Sequence, residues 1–107
     1  MTVTQWPSYL LRGVPADTRA LLSEQAQADD ISLGDVVRQA LCHHYNMECD
    51  PASFGYQHDL DTGNDTLLVR VQPAVFKRMK RETRGRYGAT KTLVFQALND
   101  YLEVQPR

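Results

Sequence analysis

Cysteine is scarce in this chain. Cys42 and Cys49 are its only two, too few for a disulfide framework, and reduced thiols in the cytoplasm are the expectation. No apolar run approaches the roughly 18 residues that span a bilayer. Met1 to Pro7 lacks a basic stretch leading into an apolar one and does not read as a signal peptide. There is no phosphate-binding glycine loop, no nucleophile elbow and no carboxylate pair in a convincing setting, so neither an enzyme nor a cofactor is expected. Cys42, His43, His44 and Cys49 form the one cluster with metal-ligating chemistry. Their spacing matches no familiar zinc pattern, and Cys42 borders an apolar stripe where it reads more simply as a small buried residue. No metal site is expected.

What is present is charge, unevenly distributed. The 107 residues carry a net charge of only −1. Residues 1–45 hold Arg12, Arg19 and Arg38 against five acidic residues. Residues 46–65 hold five acidic residues and neither Lys nor Arg. Residues 66–107 hold nine basic residues against Glu82, Asp100 and Glu103. A basic half hidden in a neutral average points to a polyanionic partner.

An internal repeat organises the chain. Leu10-Leu11-Arg12-Gly13-Val14-Pro15 aligns with Leu68-Val69-Arg70-Val71-Gln72-Pro73 at an offset of 58, and Gln39-Ala40-Leu41 aligns with Gln96-Ala97-Leu98 at 57. The second copy is therefore expected to lack one residue, between its helices. Two units follow, 1–45 and 66–107, joined by an acidic linker, 46–65. In each, a short β-favouring run (Tyr9–Val14, Thr66–Gln72) leads to a proline suited to a first helical turn. A first helix places Leu21, Leu22 and Ala26, or Phe76, Met79 and Thr83, on one side. A break follows at Asp29-Asp30-Ile31 or Gly85-Arg86-Tyr87-Gly88. Ser32 and Asp35 have capping-box spacing, and Thr90 or Ala89 opens the corresponding helix. The second helices carry the stripes Val36, Val37, Ala40, Leu41, Tyr45 and Leu93, Val94, Ala97, Leu98, Tyr101 or Leu102.

A unit of about 40 residues buries too little surface to fold alone, and its lone strand would leave backbone groups unpaired. Two copies remove both problems if their strands pair antiparallel. A flexible joiner of about 20 residues reaches on the order of 25 Å, and tethering raises the effective concentration into the mM range. Pairing within the chain is expected. The predicted fold is mostly α with a two-stranded antiparallel β-ribbon.

Strand, Arg ahead of Pro, helix, a turn with Ser or Thr, then a helix ending in Ala-Leu and an aromatic: this order, repeated, resembles the Arc/MetJ-type ribbon-helix-helix family in a tandem, single-chain pseudo-dimer, similar to TraY-type plasmid-transfer proteins. The resemblance covers residues 9–45 and 66–102. It implies that the paired strands enter the DNA major groove and that each second helix holds a phosphate at its start. With Leu11 and Val69 inward, alternation turns Leu10, Arg12, Leu68 and Arg70 outward as base-reading candidates; a bulge near Gly13 would shift that register. Ser32 with Leu33, and Thr90 with Lys91, are the phosphate candidates. Lys77, Lys80, Arg81 and Arg84, within a basic run that includes Arg78 and Arg86, are candidates for backbone contacts. The expected function is sequence-specific binding of double-stranded DNA, as a transcriptional repressor, with pseudo-dimers able to associate on DNA. The alternatives are a relaxosome accessory factor of a conjugative element and an antitoxin-like module gripping a partner protein, for which Phe54 and Tyr56 in the acidic linker offer a docking place.

Overall fold

The computed structural model describes residues 6–48, 60–61, 65–84, 86 and 88–104. Its elements are β1 (Ser8–Leu11), α1 (Ala16–Asp29), α2 (Leu33–His44), β2 (Leu60–Asp61), β3 (Leu67–Arg70), α3 (Pro73–Glu82) and α4 (Ala89–Val104). The chain is mostly helical, with one antiparallel sheet. Cys49, Phe54 and Tyr56 lie outside the described residues, as do Gly85 and Tyr87 of the second break.

The two expected ribbon strands pair with each other. β1 runs antiparallel to β3 with Ser8 opposite Arg70, Tyr9 opposite Val69, Leu10 opposite Leu68 and Leu11 opposite Leu67. Leu10 and Leu68 are also equivalent by the offset of 58, so the register is symmetric about that pair. Both strands are shorter than expected. β1 stops at Leu11 because Gly13 adopts φ +73°, a conformation that ends an extended run. The sheet has a third strand, where two were expected. β2, from the segment read as linker, pairs antiparallel on the other side of β3, with Leu60 opposite Leu68. A β3 paired on one side alone would leave its second edge as a row of unpaired backbone groups, and net charge gave no hint of what would cover it.

The inner face of the sheet supplies Leu11, Leu67, Val69 and Val71 to the core, and the second helices supply both expected stripes, with Tyr45 only half-buried. α2 and α4 pack on each other, and the Tyr101 hydroxyl donates to Gln39 Oε1 at 2.7 Å across that contact. In the first helices Leu22, Ala26, Val75, Met79 and Thr83 are buried, whereas Leu21 and Phe76 are half-buried against the core. Leu22 matches Met79 and Ala26 matches Thr83 at an offset of 57. The missing residue thus lies at the Gly13 corner, ahead of the first helix, not between the helices. One result is that Pro73 is the first residue of α3, while Pro15 is the N-cap of α1.

Local chemistry explains the helix ends. Asp30 closes α1 in the left-handed conformation, φ 57°, with Ile31 N–H donating to Ala26 O at 2.9 Å and the Ile31 side chain against the core, as a Schellman-type stop requires. α2 opens with the expected capping box: Asp35 N–H donates to Ser32 Oγ at 3.1 Å and Ser32 N–H to Asp35 Oδ2 at 3.2 Å. The other oxygen of Asp35 pairs with Arg38, and both side chains are buried, at 1% and 2% exposure. Arg38 also donates to the Arg70 carbonyl at 3.1 Å, which fastens the start of α2 to the end of β3.

Removing one partner of a buried, hydrogen-bonded pair leaves the other charge stranded, at a cost of about 3–5 kcal/mol. Arg38→Ala is expected to lower the urea midpoint by that equivalent, and adding Asp35→Ala to cost less than the sum of the single losses. Strict additivity would show that the pair is not coupled.

Tyr45, just after α2, lies beneath the Arg78 guanidinium, 5.5 Å from its ring centroid. Burial first, then the neighbouring Glu82 carboxylate, holds the phenol well above the usual tyrosine range, against an opposing pull from Arg78. Burial raises Tyr9 in the same direction. A pKa raised on folding stabilises the folded chain fully below the unfolded value of about 10. That contribution is lost as pH rises towards the folded value. Tyr45→Phe is expected to flatten the alkaline decline in thermal stability above about pH 10; parallel declines in the two proteins would contradict this assignment.

Candidate nucleic-acid interface

Alternation along the strands separates two faces. Opposite to the core face, β1 and its continuation turn Ser8, Leu10 and Arg12 to solvent, while Thr66, Leu68 and Arg70 are half-buried on the same side. Leu10 is 40% exposed, the one large hydrophobic in that class among the described residues. Its neighbour across the strands, Leu68, is more covered, as befits the central strand of three.

The two arginines differ in setting. Arg12 is exposed, one residue beyond β1. Arg70 is half-buried and donates from Nη1 to the Trp6 carbonyl at 3.1 Å. Equivalent places in the repeat therefore hold a solvent-facing guanidinium and one tied back to the chain. The periodicity that identified both could not distinguish them, because Trp6 precedes the repeat.

The two second-helix starts differ as well. At α2, Ser32 is the N-cap and Leu33 is half-buried against the core. The first turn already contains the Asp35 carboxylate, which accepts from Ser32 N–H and so occupies one of the donors an anion would use. At α4 no acidic residue stands in the first turn. Of the two expected starts, Ala89 is the one that opens α4, and the Thr90 hydroxyl donates to Thr83 Oγ1 at 3.0 Å, which donates to Met79 O at 2.7 Å. Lys91 is exposed, with Nζ 5.9 Å from the Phe95 ring centroid. It also overlies the ribbon corner, where a Cβ built on Gly13 would lie 2.9 Å from Lys91 Nζ. The start of α4 thus stands beside Arg12. Sequence reading missed this approach, although a glycine interrupting a β-favouring run was its visible sign.

An open cleft lined by Lys80, Arg81, Thr83, Arg84 and Thr90 adjoins the same helix start. Within the basic run, Lys77, Lys80, Arg81 and Arg84 are exposed. Arg78 stacks on Tyr45, Arg86 donates to the Glu82 carbonyl, and Lys80 also lies 5.2 Å from the Phe76 ring centroid. Cys42 is buried, with Sγ 3.7 Å from Gln72 Oε1, and His43 packs edge-on to Tyr101 at 5.6 Å. Among the described residues no group of three or more His, Cys, Asp or Glu side chains is placed to hold a metal ion, and no helix is long and apolar enough to cross a membrane.

The chain matches no protein-family model, no curated protein and no solved structure.

Of the two helix starts, α4 has the electrostatics an anion needs: the positive end of the helix dipole and the exposed Lys91, with no acidic residue in the first turn. In a titration with inorganic phosphate followed by NMR, the amides of Thr90 and Lys91 are expected to shift further than those of Leu33 and Gly34. Equal shifts at both starts would remove the distinction.

Proposed function

We propose that the chain is a tandem ribbon-helix-helix protein, a single-chain pseudo-dimer that binds double-stranded DNA by sequence and acts as a transcriptional repressor in the cytoplasm. The observation that carries this reading is the outward face of the β1–β3 pair: an exposed Leu10 beside an exposed Arg12, with Lys91 at the ribbon corner. Two strands in register about equivalent leucines, each followed by two helices, support the pseudo-dimer part of the proposal.

A DNA major groove about 12 Å wide admits a two-stranded ribbon. Arg12 can donate bidentately to guanine O6 and N7, and Leu10 can meet a thymine methyl. Arg70 must first leave the Trp6 carbonyl, so it contributes less. Lys91 and the first-turn N–H groups of α4 then take a backbone phosphate. The strand β2 widens the ribbon only beside Leu67 and Leu68. Lys77, Lys80, Arg81 and Arg84 add long-range attraction to the polyanion. Action at a transfer origin instead of an operator would use this same surface.

Arg12→Ala is expected to cost about 1–3 kcal/mol on the preferred site and to relax base preference at one position. Arg70→Ala is expected to cost less. Lys91→Ala should weaken binding to all sequences and make the log–log salt dependence shallower by about one unit. Selection from a random DNA pool, followed by anisotropy titrations at several salt concentrations, measures all three. Undiminished affinity and preference in a folded Arg12→Ala protein would move the reading surface away from the ribbon.

A further inference from the structure

The first helices of the two halves are equivalent in packing and opposite in charge. At the offset of 57 set by the buried Leu22/Met79 and Ala26/Thr83 pairs, Glu24 corresponds to Arg81, Gln27 to Arg84 and Asp29 to Arg86, and all six are exposed. α1 and its cap carry Asp17, Glu24, Asp29 and Asp30 against a single Arg19, whereas α3 carries Lys77, Arg78, Lys80 and Arg81 against a single Glu82. These faces point away from the core. α1 is packed on α2 and α4 of its own chain.

We infer that the acidic outer face of α1 docks on the basic outer face of α3 of a second copy of this chain. Like faces repel, since α1 on α1 brings acids together and α3 on α3 brings bases together. A symmetric dimer through either helix is therefore disfavoured, and only the unlike contact is attractive. The contact joins unlike surfaces, so it either closes a dimer in which both α1–α3 contacts form at once or continues head to tail through the faces left over. If the first helices instead tracked DNA, Glu24 would occupy the place equivalent to Arg81 and meet phosphate with like charge. The acidity of α1 thus favours a protein partner for α3. The inference does not depend on the DNA-binding proposal and is tested without DNA.

Exposed ion pairs are weak and salt-screened, so the contact is expected at about 1 mM protein and low ionic strength. Sedimentation of the full chain under those conditions should show a weight-average mass rising with concentration, and a return to monomer in high salt. Arg81→Glu/Arg84→Glu leaves three bases against three acids on α3 and its end, up to residue 84, and Glu24→Arg/Gln27→Arg leaves three against three on α1 and its cap, so each variant keeps one charged face and neutralises the other. All four positions are exposed, and circular dichroism checks that each protein stays folded. Each variant alone should remain monomeric, and an equimolar mixture of the two should regain association. A wild-type chain that stays monomeric throughout the series overturns the inference. So does an Arg81→Glu/Arg84→Glu protein that associates like wild type but loses affinity for a single DNA site, which would assign α3 to nucleic acid.

Discussion

Backbone pairing between two strands some sixty residues apart is the constraint on which the structure depends. Ser8–Leu11 and Leu67–Arg70 are each four residues long, and neither can satisfy its own N–H and C=O groups. Once they pair, their inner residues close one side of the core, and the helices that follow are delivered to the same side. α2 and α4 can then pack on each other, and the Asp35–Arg38 pair can reach the end of β3. Remove the strand pairing and each half has an amphipathic helix pair with no opposing surface.

Much of this was legible in the residues. The Arg-before-Pro runs and the two Gln-Ala-Leu segments exposed the repeat, and the stripes from Val36 and Leu93 onward identified the faces that meet. The Ser32–Asp35 spacing marked a helix start that the hydrogen bonds now describe atom by atom. Such features are local or periodic, and a single sequence displays them directly.

What escaped depends on contacts between distant segments. Nothing in the spacing of Leu60 marks it as the partner of Leu68, because a two-residue strand carries no period. Gly13 was visible as an irregularity, but its effect, the displacement of one half's offset by a residue, appears only when buried positions are compared. Arg38 looked like an ordinary helix arginine. Its burial follows from the nearness of the Arg70 carbonyl, thirty-two residues away. Arg12 and Arg70 were indistinguishable until Trp6 was seen beside one of them.

That last difference has a consequence for how such a chain can change. Where two identical subunits build a ribbon, every substitution is written twice, and the two sides must improve or fail together. Here the exposed guanidinium at position 12 and the tethered one at position 70 are encoded separately. Each side of the sheet is open to selection alone: one half can be tuned for contact with a partner while its counterpart is held for stability. The asymmetry of the helix starts, with a resident carboxylate at α2 and none at α4, is what unshared inheritance of the two halves permits.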